Sequence, residues 1–411
     1  NSSLLNTNLR LGSPSLKIFS KSQKTFMKLK RAEKTEDGTS ITLHWEDGFQ
    51  SRFHAQWLRY NSLDPKTRSQ HNGQRLISLL DIPQDIFLEE EEIQPDGSLR
   101  LVFSHDGHET LFPGKWLREH VYDQSKIREK GWCDEAITLW DGQFEASSTL
   151  MPYSKISSEP QSQAAWLRMV RDYGFALTEG VPLHNGAVTE LVKLFGFVRE
   201  TEYGRWFEVR SEANPINLAY TNQGLQGHTD NPYRDPVPTL QLLACLENEA
   251  EGGESILIDG FKIVQILKEE DPEAFRLLSE YCARFEFTGK KGVFLKSKRP
   301  VIELKPDGEL ACVRFNNRST APLTDVPYEK VQEYLCAYRR LMEMVENPEF
   351  QVRFRLNPGA LLILDNTRVL HARSSFSSAG SRWLQGCYAD RDGLLSTLEA
   401  LEQKIALDPS K

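Results

Sequence analysis

The sequence predicts a mainly β protein with flanking helices. Its larger part reads as a β-sandwich or jelly roll with helical buttresses, preceded by a small β-rich domain. Three observations predict this. From residue 217 onward, short segments of strand length follow one another closely: "TLQLLACL", "ESILIDG", "RFEFTG", "RPVIELKP", "ELACVRFN", "GALLILDN" and "RWLQGCYA". Helical periodicity is confined to a few stretches that precede or interrupt them, as in a strand sandwich buttressed by helices. Near the start of the chain, Asp-Gly pairs stand between alternating segments, a hairpin signal.

Residues 1–31, "NSSLLNTNLRLGSPSLKIFSKSQKTFMKLKR", hold seven Lys or Arg and no acid. That composition reads as a disordered or targeting extension. A mitochondrial presequence is one candidate; an extension ahead of a natural start at Met27 is the favoured one. Residues 32–122 carry a weak internal repeat, "ITLHWEDGFQSRFHAQWLR" at 41–59 against "LRLVFSHDGHETLFPGKWLR" at 99–118. Each copy reads as a strand, an Asp-Gly turn, a second strand and then Trp-Leu-Arg, so the domain is expected to hold two related hairpins. Trp45, Phe53, Trp57 and Trp116 are its candidate core. Residues 123–160, ending in Ser/Pro-rich "SSTLMPYSKISSEPQSQ", read as a connector.

The expected larger domain spans 161–400. "QAAWLRMVRDYG" has helical periodicity and ends on a capping Gly. "FALTEGVP" reads as a strand and "NGAVTELVKLFG" as a helix. The strands then follow, with helices expected around 261–283 and 327–346.

Composition narrows the function classes. The chain is 39% hydrophobic and 26% charged, as in ordinary globular proteins, with a net charge of −8. Acidity at that level argues against a general binder of nucleic acid or anionic membrane. No stretch approaches 18 apolar residues, so no membrane span is expected. Six scattered cysteines without a Cys-x-x-Cys pair suit a reducing compartment.

Chemistry concentrates around "GLQGHTDNPYRDPVPTLQLLACLENEAEGGESILIDGF", residues 224–261. A lone His-x-Asp is a weak motif, and its plain reading is a solvated turn. Three features raise His228 and Asp230 above that reading. They precede a strand that can aim them. His371 follows the strand "GALLILDN". Arg382 comes eleven residues later, in another strand-like segment. Two imidazoles and one carboxylate suit Fe(II) as a facial triad with three positions open. A zinc hydrolase could use the same three ligands but has no evident need of a distant arginine.

These residues resemble the Fe(II)/2-oxoglutarate-dependent oxygenases of the taurine-dioxygenase type. A nearer resemblance is to the family of gamma-butyrobetaine dioxygenase and trimethyllysine dioxygenase. It covers about residues 32–400 and is carried by "EYGRWFEV", "NLAYTNQGLQGHTD", "LIDGF", "VRFNN", "LNPGALLILDNTRVLHARSS" and "RWLQGCYAD". The resemblance implies that the larger domain is a double-stranded β-helix (jelly roll) and that His228, Asp230 and His371 hold Fe(II). It implies that Arg382 and Ser255 bind 2-oxoglutarate, Arg382 through a charge-assisted pair with the distal carboxylate. Tyr203, Phe207, Tyr220 and Tyr388 fall where the family surrounds a trimethylammonium group with aromatic faces, which attract a cation that cannot donate hydrogen bonds. Asn217 and Asn316 fall at the substrate's carboxylate end. Taken one at a time, each aromatic is more often core than ligand.

The chain departs from the family in two places. Phe207 stands where the cage usually has Trp. The segment after the first "WLR" lacks the cysteines with which the family's N-terminal domain holds zinc, leaving His71, His105 and His108, and that domain is expected to fold on its apolar core instead.

The resulting expectation is a hydroxylase of a small trimethylammonium zwitterion, most readily gamma-butyrobetaine to carnitine. Alternatives are a trimethylammonium phosphonate such as 2-(trimethylammonio)ethylphosphonate, or trimethyllysine; more distant ones are a zinc hydrolase or a metal-binding structural jelly roll. Dioxygen completes the co-substrates, with ascorbate a candidate accessory. The expected partner is a small molecule rather than nucleic acid or membrane, a homodimer is a candidate assembly, and the expected compartment is cytoplasmic, or mitochondrial if residues 1–31 are a presequence.

Overall fold

The computed structural model describes residues 28–124, 128–210, 224–377 and 380–407. The chain divides into two compact units, the boundary falling between residues 127 and 128.

The first unit is two copies of one pattern. Strands β1 (Leu29–Lys34), β2 (Ser40–Trp45) and β3 (Gln50–His54) form an antiparallel sheet followed by a short helix α1 (Ala55–Tyr60). Strands β4 (Leu88–Ile93), β5 (Leu99–Phe103) and β6 (Glu109–Phe112) form another, followed by α2 (Gly114–Glu119). In the middle strands, side chains alternate across the sheet, so Ile41, Leu43 and Trp45 of β2 and Leu99, Leu101 and Phe103 of β5 are buried. Phe53, Leu58, Phe112 and Leu117 complete this core.

Each repeat is therefore three strands and a helix, not a two-stranded hairpin. The missed strands are "LKRAEK" and "LEEEEI", each buried only at its first residue, Leu29 and Leu88. Their runs of charge hid them. The unit also starts earlier than residue 32, because Leu29 is buried and pairs with Trp45. Trp57 and Trp116 are only half-buried, their rings 5.7 Å apart at the edge of the core. Of the three histidines, His71 is exposed, His105 faces Asp85, and buried His108 shares a 2.9 Å hydrogen bond with Asp64.

The second unit begins with β7 (Leu150–Pro152), α3 (Tyr153–Ser158), α4 (Pro160–Tyr173), β8 (Phe175–Glu179), α5 (Val188–Val192), β9 (Phe207–Val209) and β10 (Leu225–His228). Then come β11 (Leu240–Asn248), β12 (Ser255–Asp259), α6 (Gly260–Glu270), α7 (Pro272–Glu280), β13 (Cys282–Phe287), β14 (Leu295–Pro300), β15 (Ile302–Leu304) and β16 (Leu310–Val313). It closes with α8 (Val331–Glu346), β17 (Gln351–Phe354), β18 (Leu361–Asp365), β19 (Val369–Arg373), β20 (Arg382–Ala389) and α9 (Arg391–Leu407). Two sheets make the jelly roll, one ordered β7-β8-β18-β11-β20-β9 and the other β10-β19-β12-β17.

Alternation along the strands divides their apolar residues among three layers. Between the sheets lie Phe175, Leu362, Leu364 and Leu384 from the larger and Leu257, Val352 and Val369 from the smaller. On the outer face of the larger sheet, Leu361, Ile363, Leu240 and Leu242 pack beneath Trp166, Leu167, Leu191 and Leu394 of α4, α5 and α9. On the outer face of the smaller sheet, Ile256, Ile258 and Leu370 meet Val264, Leu278 and Leu341 of α6, α7 and α8. The single helix expected over 261–283 is two, because Pro272 opens α7 and the Asp271 carboxylate caps it by accepting from the Ala274 N–H at 2.9 Å. The helix expected over "NGAVTELVKLFG" shrinks to α5.

The segment read as a connector, 123–160, is fixed to the jelly roll over its described part from residue 131 on. Trp140 is buried 5.3 Å from the Phe175 ring. Its backbone N–H donates to Asp259 and its indole N–H to the Tyr173 carbonyl. These are long-range bonds, which local composition does not signal. One buried ion pair gathers them. Arg368 donates to both oxygens of Asp259, at 3.0 and 2.8 Å, and to the Asp172 and Thr138 carbonyls.

Replacing Arg368 by Met would strand Asp259 as an unpaired buried charge, a loss that typically costs about 3–5 kcal/mol. Denaturant unfolding of Arg368→Met should register a loss of that order; a variant as stable as wild type would mean that the pair is not what clamps residues 138–172 to β12 and β19.

Candidate active site

The site opens between the two sheets. Antiparallel pairing of β10 with β19 places His228 directly opposite His371. Their rings lie 4.3 Å apart. Asp230 follows β10 by two residues, and its Oδ1 is 3.4 Å from His228 Nε2 and 3.8 Å from His371 Nε2. One donor atom from each of the three lies within 4.8 Å of the others, and among the described residues they form the one such group of His, Cys, Asp or Glu.

The loop between the ligands is held from both sides. Thr229, the middle residue of His-Thr-Asp, donates its N–H to the Phe315 carbonyl at 2.7 Å, and its hydroxyl accepts from the Phe315 N–H at 3.0 Å. The Asp230 N–H donates to Asn366 Oδ1 at 2.7 Å, and Asn366 Nδ2 returns a bond to the Asp230 carbonyl. Asn231 then turns the chain away in the left-handed region at φ +53, which Asn tolerates better than most residues.

Each ligand is prepared by its neighbours. The Nδ1–H of His228 donates to the Gln226 carbonyl at 2.7 Å, which fixes the ring with Nε2 turned toward Asp230. Asp230 divides its oxygens. Oδ2 accepts from Gln241 Nε2 and from the Tyr388 hydroxyl, both at 2.7 Å, while Oδ1 faces the imidazoles. Burial opposes ionisation of Asp230, but His371 and His228 beside it and the Tyr388 hydroxyl outweigh it and hold its pKa well below the usual carboxylate range. Burial, reinforced by His228, pushes His371 down to about 3, so its imidazole is neutral and free to ligate near pH 7. Burial and then the Asp230 carboxylate push Tyr388 far up, so it remains a donor. Two imidazoles and one ionised carboxylate are a donor set for a divalent transition metal.

Arg382 opens β20 beside the same cavity, which has a volume of about 450 Å³. Its Nε and Nη1 are buried without a hydrogen-bond partner, and Nη2 reaches only the Gly253 carbonyl at 3.4 Å. Burial pulls its pKa below the ordinary arginine value. Orphaned guanidinium donors of this kind call for an anion. The Gly252-Gly253 turn makes the approach possible, since a Cβ on Gly253 would lie 2.9 Å from Arg382 Nε. Ser255 opens β12 along the same cavity wall.

The other wall is aromatic. The Phe207 ring lies 5.1 Å from Tyr388 and 6.1 Å from Tyr203. It lies so close over β20 that a Cβ on Gly386 would come within 2.3 Å of it. Tyr203 continues the wall to Phe287 at 5.9 Å, and Phe287 to Tyr233 at 5.1 Å. An ion pair of Glu202 with Arg234 and a 3.2 Å hydrogen bond between the hydroxyls of Tyr203 and Tyr233 tie this wall to the loop after Asp230.

The structure thus brings together His228, Asp230, His371, Arg382, Ser255, Tyr203, Phe207, Tyr388 and Asn316 around one cavity. Asn217 and Tyr220 lie outside the described residues. Two residues have contacts beyond those expected of them. Tyr388 is a donor to Asp230 as well as a ring in the wall, and Asn316 donates to the Thr229 carbonyl at 3.1 Å, clamping the ligand loop. The sequence reading missed Gln241, Asn366, Phe287, Tyr233, Arg318 and Arg373. Gln241 and Arg373 had a legible signal: each is a polar residue in a strand whose neighbouring residues are largely apolar and buried.

A jelly roll with two imidazoles and a carboxylate converging on its cavity defines a mononuclear non-haem metal site of the facial-triad class. The chain belongs to the taurine catabolism dioxygenase TauD, TfdA family, whose model matches residues 135–388. Residues 31–118 match the gamma-butyrobetaine hydroxylase-like N-terminal domain. The chain is 36% identical to the gamma-butyrobetaine dioxygenase of Pseudomonas sp. (strain AK-1), over 89% of this chain and 94% of that one. It is 28% identical to the human gamma-butyrobetaine dioxygenase, over 92% and 98%. It is 30% identical to the trimethyllysine dioxygenase of Meyerozyma guilliermondii, over 92% and 97%.

Tyr388→Phe removes one of the two donors to Asp230 and keeps the ring. Loss of such an outer contact typically lowers metal affinity by about 10- to 100-fold, which an Fe(II) or Co(II) titration should detect. Unchanged affinity would mean that Gln241 alone orients the carboxylate.

Proposed function

We propose that the chain is an Fe(II)- and 2-oxoglutarate-dependent hydroxylase of a small trimethylammonium zwitterion, with gamma-butyrobetaine its leading substrate and carnitine the product. The observation that carries this reading is the arrangement of one cavity. A His-Asp-His group stands between a buried guanidinium with orphaned donors and a wall of aromatic rings. Family membership and the higher identity to a gamma-butyrobetaine dioxygenase than to a trimethyllysine dioxygenase support it.

The residues fit the implied groups. His228 Nε2, Asp230 Oδ1 and His371 would hold the iron, and Arg382 with Ser255 the distal carboxylate of 2-oxoglutarate. Iron with 2-oxoglutarate and dioxygen supplies the oxidation that replaces a C–H by C–OH, 2-oxoglutarate leaving as succinate and carbon dioxide. The chain's own work is positioning. Gln241 and Tyr388 keep Asp230 Oδ2 occupied, so one oxygen is left to ligate. Tyr203, Phe207 and Tyr388 offer π faces to a quaternary ammonium. Asn316 and Arg318 line the cavity and can meet the anionic end of a zwitterion. No side chain is needed as a general base.

Among the described residues no helix is long and apolar enough to cross a membrane. Six free cysteines favour a reducing compartment, and we place the enzyme in the cytoplasm, with the basic residues 1–31 as the argument for mitochondria.

Succinate release across a panel of ammonium compounds tests the reading. Gamma-butyrobetaine should drive release above the uncoupled background, and its dimethyl and unmethylated analogues progressively less. In Tyr203→Leu, a lost cation–π contact of about 2 kcal/mol should raise KM for the trimethylated substrate roughly thirty-fold and leave that for 2-oxoglutarate in place. Equal turnover of methylated and unmethylated compounds would leave the ammonium specificity without support.

A further inference from the structure

Arg373 has no role in the arrangement described so far. It is buried, it follows His371 by two residues on β19, and it therefore shares the inward face of that strand. In register it lies opposite Leu225 of β10 and Ser255 of β12, and all three line the cavity. Its guanidinium carbon is 4.8 Å from the centre of the Phe376 ring; that of Arg382, reaching in from the opposite sheet, is 5.1 Å from the same ring. Phe376 is itself pinned by a bridge to Gly252, in the turn that approaches Arg382. One aromatic ring thus gathers two buried cations from the two sheets at the Ser255 end of the cavity. Two like charges held together away from water repel each other, and an anion placed between them offsets that repulsion.

We propose that Arg373 is a second carboxylate-binding residue, which together with Arg382 makes this end of the cavity select a 2-oxo acid bearing a distal carboxylate. The inference rests on the functional reading above and assigns part of that co-substrate site to a residue on the metal-bearing strand.

The test uses the full chain loaded with Fe(II) under anaerobic conditions, titrated calorimetrically with 2-oxoglutarate and with 2-oxopentanoate, which keeps the chelating 2-oxo acid and lacks the distal carboxylate. A hydrogen bond to a charged group is worth about 1.5–3 kcal/mol, so Arg373→Gln should weaken 2-oxoglutarate by about ten- to a hundred-fold. It should leave 2-oxopentanoate unchanged, and that second titration also reports that the variant is folded and metal-loaded. Arg373→Lys should recover part of the loss through its charge, but not all, because it lacks the planar fork. Undiminished binding of 2-oxoglutarate by Arg373→Gln, or an equal loss for both acids, would overturn the proposal. So would a loss confined to gamma-butyrobetaine, which would assign Arg373 to the substrate. Wild-type protein that binds neither acid would instead bring down the functional reading, and this inference with it.

Discussion

The pairing of β10 with β19 is the constraint on which the site depends. It sets His228 against His371 across two backbones that cannot slip by one residue without sending His371 to the opposite, helix-covered face of the sheet, where Leu370 and Ala372 now pack. Leu370 in the outer core and Val369 between the sheets fix that register from both sides. Asp230 cannot share it, since it lies beyond the strand. It is placed instead by Asn366, Gln241 and Tyr388, which come from the β18–β19 turn, β11 and β20. The triad is thus a two-sheet construction, rigid because its members are bonded to different strands of one sandwich.

The cavity is electrically divided. Arg382 and Arg373 gather on Phe376 at one end; Tyr203, Phe207 and Phe287 present rings at the other; the ionised Asp230 lies between. Arg382, buried with two orphaned donors, is costly on its own, and that cost is a reservoir a bound anion can draw down.

The metal ligands were legible in the sequence because each is a polar residue beside an apolar strand: His228 and Asp230 before "TLQLLACL", His371 after "GALLILDN". Arg382 was legible from its distance to His371. Resemblance, not spacing, singled out Tyr203, Phe207 and Ser255. What stayed hidden depended on contacts between distant segments. Nothing local in "LEEEEI" declares a strand, because only Leu88 is buried and the sheet is completed by β5. The 123–160 segment looked like a connector since its anchors, Asp259 and Arg368, lie more than a hundred residues away. Tyr388 could be assigned a ring but not a hydroxyl role, because its partner Asp230 is 158 residues distant in sequence.

The central claim is that His228, Asp230 and His371 hold an iron ion that 2-oxoglutarate can chelate. The most direct measurement is the absorption spectrum of the Fe(II)-loaded protein without oxygen, before and after 2-oxoglutarate is added. The account predicts a new metal-to-ligand charge-transfer band that is absent in His371→Ala and absent when zinc replaces iron. Iron and 2-oxoglutarate bound in stoichiometric amounts with no such band would contradict it, because the co-substrate would then be held away from the metal.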